Sequence, residues 1–138
     1  MRRIFLPGSP YTKWARFIAV LWTLLIFAGC LTPSEEIPHV DVPFVDKWTH
    51  LVMFGVFSFL WMCVKPSRKL PWLTILFLVT SALGAIIEGL QGTLTSLGRS
   101  MELMDWYADT VGGALGIAIF CLFAYFAGKN TTHVSKIS

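Results

Sequence analysis

The sequence predicts an all-α membrane protein: four transmembrane helices in a compact bundle, with the N-terminus and the C-terminus both cytoplasmic. Three observations carry that reading. Of the 138 residues, 55% are hydrophobic and only 14% are charged, with a mean hydropathy of +0.66, whereas a soluble domain carries about 25% charged residues. Four runs contain no Asp, Glu, Lys, Arg or His: Phe17 to Ser34, Leu51 to Val64, Leu70 to Ile87 and Thr110 to Gly128. Nine of the eleven Lys and Arg fall in the N-terminal segment, the second loop and the C-terminal tail. This composition excludes an ordinary cytoplasmic enzyme, a disordered tail and a disulfide-stapled secreted domain.

Each run is read as a helix because hydrocarbon offers backbone amides no partner outside their own segment. About 20 residues, at about 1.5 Å each, cross a bilayer core of about 30 Å. The first helix spans about Trp14 to Leu31, behind Arg2, Arg3, Lys13 and Arg16. The second run has only 14 residues, so its helix extends back to Pro43 and ends at Val64, which places His50 near one membrane face. A basic loop with Lys65, Arg68 and Lys69 leads into the third helix, Pro71 to Gln91. The fourth runs from Met101 to Ala127 and leaves a tail, 128–138, that carries Lys129 and Lys136. The opposite side holds only Lys47 and Arg99, beside Glu35, Glu36, Asp41, Asp46, Glu102 and Asp105.

Because basic residues collect on the cytoplasmic side, both termini are expected there. Aromatic residues that favour the interface agree: Trp14, Trp61 and Trp72 near the inner ends, and Trp48, Trp106 and Tyr107 near the outer ends. The net charge of +3 is then the sum of an inside bias and an acidic outside, and it calls for no nucleic acid partner. A rival reading takes Phe27-Ala28-Gly29-Cys30 as a lipoprotein signal that ends in lipidation of Cys30. The long basic segment, the Phe at the first motif position and the even number of crossings favour a retained helix. Cys30, Cys63 and Cys121 sit at apolar positions without metal or redox spacing and are expected to pack as small hydrophobic residues.

Ionisable groups at membrane depth are costly and turn toward a bundle interior or a wet cavity. They gather here at one end of three helices. Asp46 and His50 lie four apart at the start of the second helix, with Lys47 between them. Glu88 and Gln91 end the third helix on the stripe of Ser81 and Gly84. Asp105 and Asp109 head the fourth helix above Gly112, Gly113 and Gly116, whose GxxxG spacing lets helices approach closely. If the glycine face is buried, Asp105 and Asp109 point inward too. One outward polar cluster is therefore expected, made of Asp46, Lys47, His50, Glu88, Gln91, Arg99, Asp105 and Asp109.

Four carboxylates would face two cations in that cluster. The excess can be relieved by a proton held on one carboxyl, by a bound divalent cation, or by solvation of Asp46 and Asp105 at the interface; no metal ligand set is assigned, and no cofactor beyond such a cation is expected. His50 and Asp46, with Glu88, are the candidates for moving a proton. Arg99 and Lys47 are the candidates for an oxyanion, since guanidinium pairs with carboxylate or phosphate in two parallel hydrogen bonds. Gln91, Asp105 and Asp109 complete the binding side. A structural alternative stays open: Glu88 and Gln91 bonded to Arg99 purely to fix helix packing, with the Gly112/Gly116 face free for a second copy.

The chain resembles the VanZ-like family of small bacterial membrane proteins. The resemblance rests on Asp46-Lys47-Trp48-Thr49-His50 with Phe54 a turn on, on Glu88-Gly89-Leu90-Gln91, on Arg99, and on Asp105-Trp106-Tyr107-Ala108-Asp109-Thr110-Val111-Gly112, over roughly Val40 to Phe120. Many members carry Asn where this chain has Asp109. The resemblance implies a single VanZ-like transmembrane domain over 1–138, in the bacterial inner membrane, and a link to tolerance of teicoplanin. It implies no reaction, so whether the chain is an enzyme stays open. The expected function is an outward-facing polar pocket that takes membrane lipids or an anionic lipid-linked envelope precursor; the alternative is a non-enzymatic assembly protein with a structural polar cluster.

Overall fold

The computed structural model describes residues 2–6, 8–33, 35, 42–94, 96 and 98–134. A 3₁₀ turn over Arg2–Phe5 precedes four helices: α1 (Thr12–Cys30), α2 (Val45–Val64), α3 (Leu70–Thr93) and α4 (Leu103–Val134). No strand occurs among the described residues. All four helices are long and apolar enough to span a membrane. Glu36, Asp41 and Lys136, part of the expected charge asymmetry, lie outside the described residues.

Local chemistry sets the helix starts. Pro71 occupies the first turn of α3, where its fixed φ suits a helix and its missing N–H removes no bond. Phe44, with φ of 58°, turns the chain sharply into α2 two residues after the expected start at Pro43. α3 gains a residue at its start and two at its end over the expected Pro71 to Gln91. The expected tail after Ala127 is corrected: the backbone stays helical to Val134, because Lys and Asn residues end an apolar run without ending a helix.

Packing divides into an apolar half and a mixed half. Ala15, Met62, Cys63, Leu76, Phe120 and Ala124 form one cluster, against which Phe5 of the 3₁₀ turn packs. Ile26, Cys30, Phe54, Phe57 and Ile87 form a second, nearer the end where the polar residues gather. Cys30, Cys63 and Cys121 form no disulfide. Outward faces carry large exposed apolar side chains such as Phe17, Leu24, Val52, Leu78, Ile86, Ile119 and Phe126. In water such faces would be a liability, but in lipid they need no cover.

The most extensive helix contact joins α2 and α4. Gly112 and Gly116 bring the two backbones so close that an added Cβ would collide with the carbonyl oxygens of Leu51 and Gly55. The glycine face expected to be free for a second copy is therefore filled by α2 of the same chain. Any oligomer must use another surface. The third side is closed by polar pins. Thr80 donates to the Leu76 carbonyl at 2.8 Å, which uses its only proton, so Ser58 is the donor in the 2.9 Å Ser58–Thr80 bond between α2 and α3. Ser81 and Thr110, 3.0 Å apart, join α3 to α4. Trp22 of α1 donates to the Met53 carbonyl of α2 at 2.9 Å.

Candidate functional site

Four chain directions alternate, so the end of α1, the start of α2, the end of α3 and the start of α4 meet at one end of the bundle. The polar residues collect there. Packing of Asp109 against Gly84, where a Cβ would lie 2.6 Å from Oδ2, holds its carboxylate between α3 and α4. From there Asp109 Oδ1 meets His50 Nδ1 at 2.9 Å. Both are buried, Asp109 at 0% and His50 at 2% exposure. The His50 ring lies nearly parallel to Phe54, one turn on, with centroids 6.4 Å apart.

Asp109 takes the part expected of Asp46. Sharing a helix face brought Asp46 close to His50, and the two stand with Asp105 in a group whose donor atoms lie within 4.8 Å of one another. The hydrogen bond to the ring nevertheless comes from α4, because Asp109 is fixed on the buried face while Asp46 sits at the exposed start of α2. A carboxylate on Nδ1 orients the imidazole and leaves Nε2 as the nitrogen for a proton or a ligand.

Glu88 is wholly buried. Its Oε2 accepts the backbone N–H of Glu102 at 2.8 Å. Glu102 is the residue before the first turn of α4, so Glu88 does from α3 what the third-residue Glu of a capping box does within its own helix. Glu88 Oε1 has no hydrogen-bond partner, and neither does Asp109 Oδ2. Glu88 and Asp109, which group with His50, thus each keep one unsatisfied carboxylate oxygen. Asp105 is only 3% exposed, so of the three ways to relieve the excess charge, solvation at the interface is not open to it.

Lys47 lies toward the exposed rim. Its Nζ is 3.0 Å from Asp105 Oδ1, 3.7 Å from Asp46 Oδ2, and bonded to Glu102. Glu102 is the member that the sequence did not single out; its position one turn before Asp105 at a helix start was the available signal. Counting it, five carboxyl groups surround one lysine and one histidine. Gln91 and Arg99 turn elsewhere. Gln91 Nε2 donates to the Cys30 carbonyl at 2.7 Å, and Arg99 Nε to the Thr32 carbonyl at 3.1 Å. These bonds satisfy carbonyls left unpaired where α1 ends, and they account for the polar character of both residues without a bond to the acids.

Two donor sets have the composition of a metal site: Asp46, His50 and Asp105, and the wholly buried His50, Glu88 and Asp109. They share the histidine. The arrangement can therefore orient a general base, hold a proton between carboxyl groups, or offer oxygen and nitrogen to a cation.

A family model described as VanZ/LLP1 matches residues 8–124, which include every residue of this cluster. The chain belongs to the VanZ-like family. With its four candidate spans, family membership makes it a multi-pass membrane protein. No curated protein and no solved structure matches it. The four motifs on which the resemblance rested all supply residues at this one end of the bundle, and the matched region leaves out only the first turn and the C-terminal end of α4.

Proposed function

We propose that this VanZ-like protein lies in the bacterial inner membrane with both termini cytoplasmic, and that its polar cluster opens outward to bind an anionic lipid-linked cell-envelope component. Recognition of such a component would underlie a link to teicoplanin tolerance. One observation carries the reading that the cluster is a working site and not only a structural one: Glu88 Oε1 and Asp109 Oδ2 are buried without hydrogen-bond partners beside His50. A network that served only to hold helices together would satisfy its buried acceptors, since each one left open costs about 1–3 kcal/mol. In this reading His50, oriented by Asp109, and Glu88 move a proton. Lys47, held at the rim by the exposed Glu102, exchanges that partner for the ligand's phosphate or carboxylate, and Arg99 is the second cation at that end of the bundle.

The test is thermal stability of the purified protein in detergent with undecaprenyl phosphate and, separately, with neutral undecaprenol. A rise with the phosphate that undecaprenol does not reproduce, and that is lost in Lys47→Gln, is expected. No shift with any phosphate-bearing lipid would overturn the reading. A second reading, in which the cluster is purely structural in an assembly protein, is favoured by the bonds of Gln91 and Arg99 to the end of α1. It requires that His50→Gln and Glu88→Gln lower the protein's abundance in the membrane as much as they lower any phenotype.

A further inference from the structure

We infer that His50, Glu88 and Asp109 form a binding site for a divalent transition-metal ion. A ligating nitrogen of His50 and carboxylate oxygens of Glu88 and Asp109 lie within 4.8 Å of one another, and all three residues are buried. Composition alone would leave this as an acidic cluster. A separate observation points to a ligand: Glu88 Oε1 and Asp109 Oδ2 have no hydrogen-bond partner although both residues are at 0% exposure. The second oxygen of each is already held, Glu88 Oε2 by the Glu102 N–H and Asp109 Oδ1 by His50. Glu88 is thus fixed by one oxygen and leaves the other to ligate, the pattern in which outer bonds orient metal ligands, while an ion bound between Asp109 and His50 Nδ1 takes the place of the proton that they share at 2.9 Å.

Charge supports the same assignment. A dication between two carboxylates and a neutral imidazole makes the buried set neutral, and Asp46, Asp105 and Glu102 remain to share Lys47 at the rim. Without an ion, two carboxyl groups meet at a histidine with no cation among them. The donor set names the class of metal. Imidazole favours Zn²⁺ and its first-row neighbours over Mg²⁺ and Ca²⁺, and the two carboxylates also suit Mn²⁺, which serves as a spectroscopic probe. Three protein ligands leave a coordination position for water or for an oxygen of a bound molecule. On the envelope-ligand reading, that is where a phosphate would sit, yet the metal site stands without that reading.

The experiment uses the full chain, purified in detergent and stripped with a chelator, then loaded with Zn²⁺ or Mn²⁺ and desalted. Elemental analysis should find about one ion per chain. Glu88→Gln and Asp109→Asn should lower the affinity at least tenfold, whereas Glu102→Gln, at the exposed rim, should leave it unchanged. Should the first two variants fail to fold, Mn²⁺ electron spin echo spectroscopy decides on a His39→Gln/His133→Gln chain, in which His50 is the remaining histidine of three. Nitrogen coupling to imidazole is expected. Overturning results would be no ion retained by the wild-type chain at micromolar free metal, a bound ion without nitrogen coupling, or loss of the ion in Glu102→Gln alone. Undecaprenyl phosphate is absent throughout, so failure here is separate from failure of the lipid reading.

Discussion

At the scale of single residues, Glu88 does two things that substitution can separate. Its Oε2 accepts the Glu102 N–H at the start of α4, while Oε1 is left open. Glu88→Gln keeps an oxygen for that N–H and removes the charge, so the melting temperature should hold or rise in the absence of metal. Glu88→Ala leaves the N–H without an acceptor, at a cost of about 1–3 kcal/mol, and should melt well below both. Intrinsic tryptophan fluorescence of the detergent-solubilised chain reads the difference; equal loss in both variants would show that the charge itself holds the bundle. Much of this was legible in the sequence, since the inward turn of Glu88, Asp105 and Asp109 follows from their place above small residues. The pairings were not. Spacing rules see neighbours on one helix, so they favoured Asp46 for His50, whereas the bonded partner comes from 59 positions away across the α2–α4 contact. For the same reason Arg99 looked like an oxyanion receptor, though its Nε is bonded to the Thr32 carbonyl.

Between elements, the decisive feature is how closely α2 and α4 approach. An added methyl at Gly116 would collide with the Gly55 carbonyl, and backbone yields far less readily than a side chain. Gly116→Ala should therefore separate the helices and destabilise by about 1–3 kcal/mol or more, as overpacking does. Gly89, on α3, has nothing within 4 Å of the position its Cβ would take. Gly89→Ala should leave stability unchanged or raise it by up to about 1 kcal/mol through helix propensity. Measuring melting temperatures of the two variants side by side tests whether the close approach, rather than loss of glycine as such, matters. The GxxxG spacing announced a close helix contact without naming the partner. A glycine stripe reads the same whether it meets a helix of its own chain or another copy, and only the fold shows that Leu51 and Gly55 fill it. The four spans were legible for a simpler reason: run length and missing charge depend on the bilayer's thickness and not on tertiary detail.

For the molecule as a whole, the remaining question is which way the polar end faces, and charge answers it with a prediction. Lys65, Arg68 and Lys69 lie between α2 and α3, at the end of the bundle away from His50 and Glu88, as do Lys13 and Arg16 at the start of α1. Positively charged short loops stay in the cytoplasm. Four spans put both termini on one side, so a fluorescent protein fused at either end should fluoresce and alkaline phosphatase fused there should be inactive. Single cysteines in a chain lacking Cys30, Cys63 and Cys121 give the finer test. At Ser67 a cysteine should resist a membrane-impermeant maleimide added to whole cells, and at Ser100, in the loop beside Arg99, it should react. The charge argument also sets which change would invert the result. Replacing Lys65, Arg68 and Lys69 by Gln removes the bias of one inner loop while Arg2, Arg3, Lys13 and Arg16 remain, so the orientation should hold; adding the N-terminal replacements should yield mixed labelling. Ser67 labelled and Ser100 protected in the otherwise unaltered chain would place the acid-rich cluster in the cytoplasm. An extracytoplasmic lipid head group could then not be its ligand, whereas the metal site, which depends on His50, Glu88 and Asp109 alone, would be untouched.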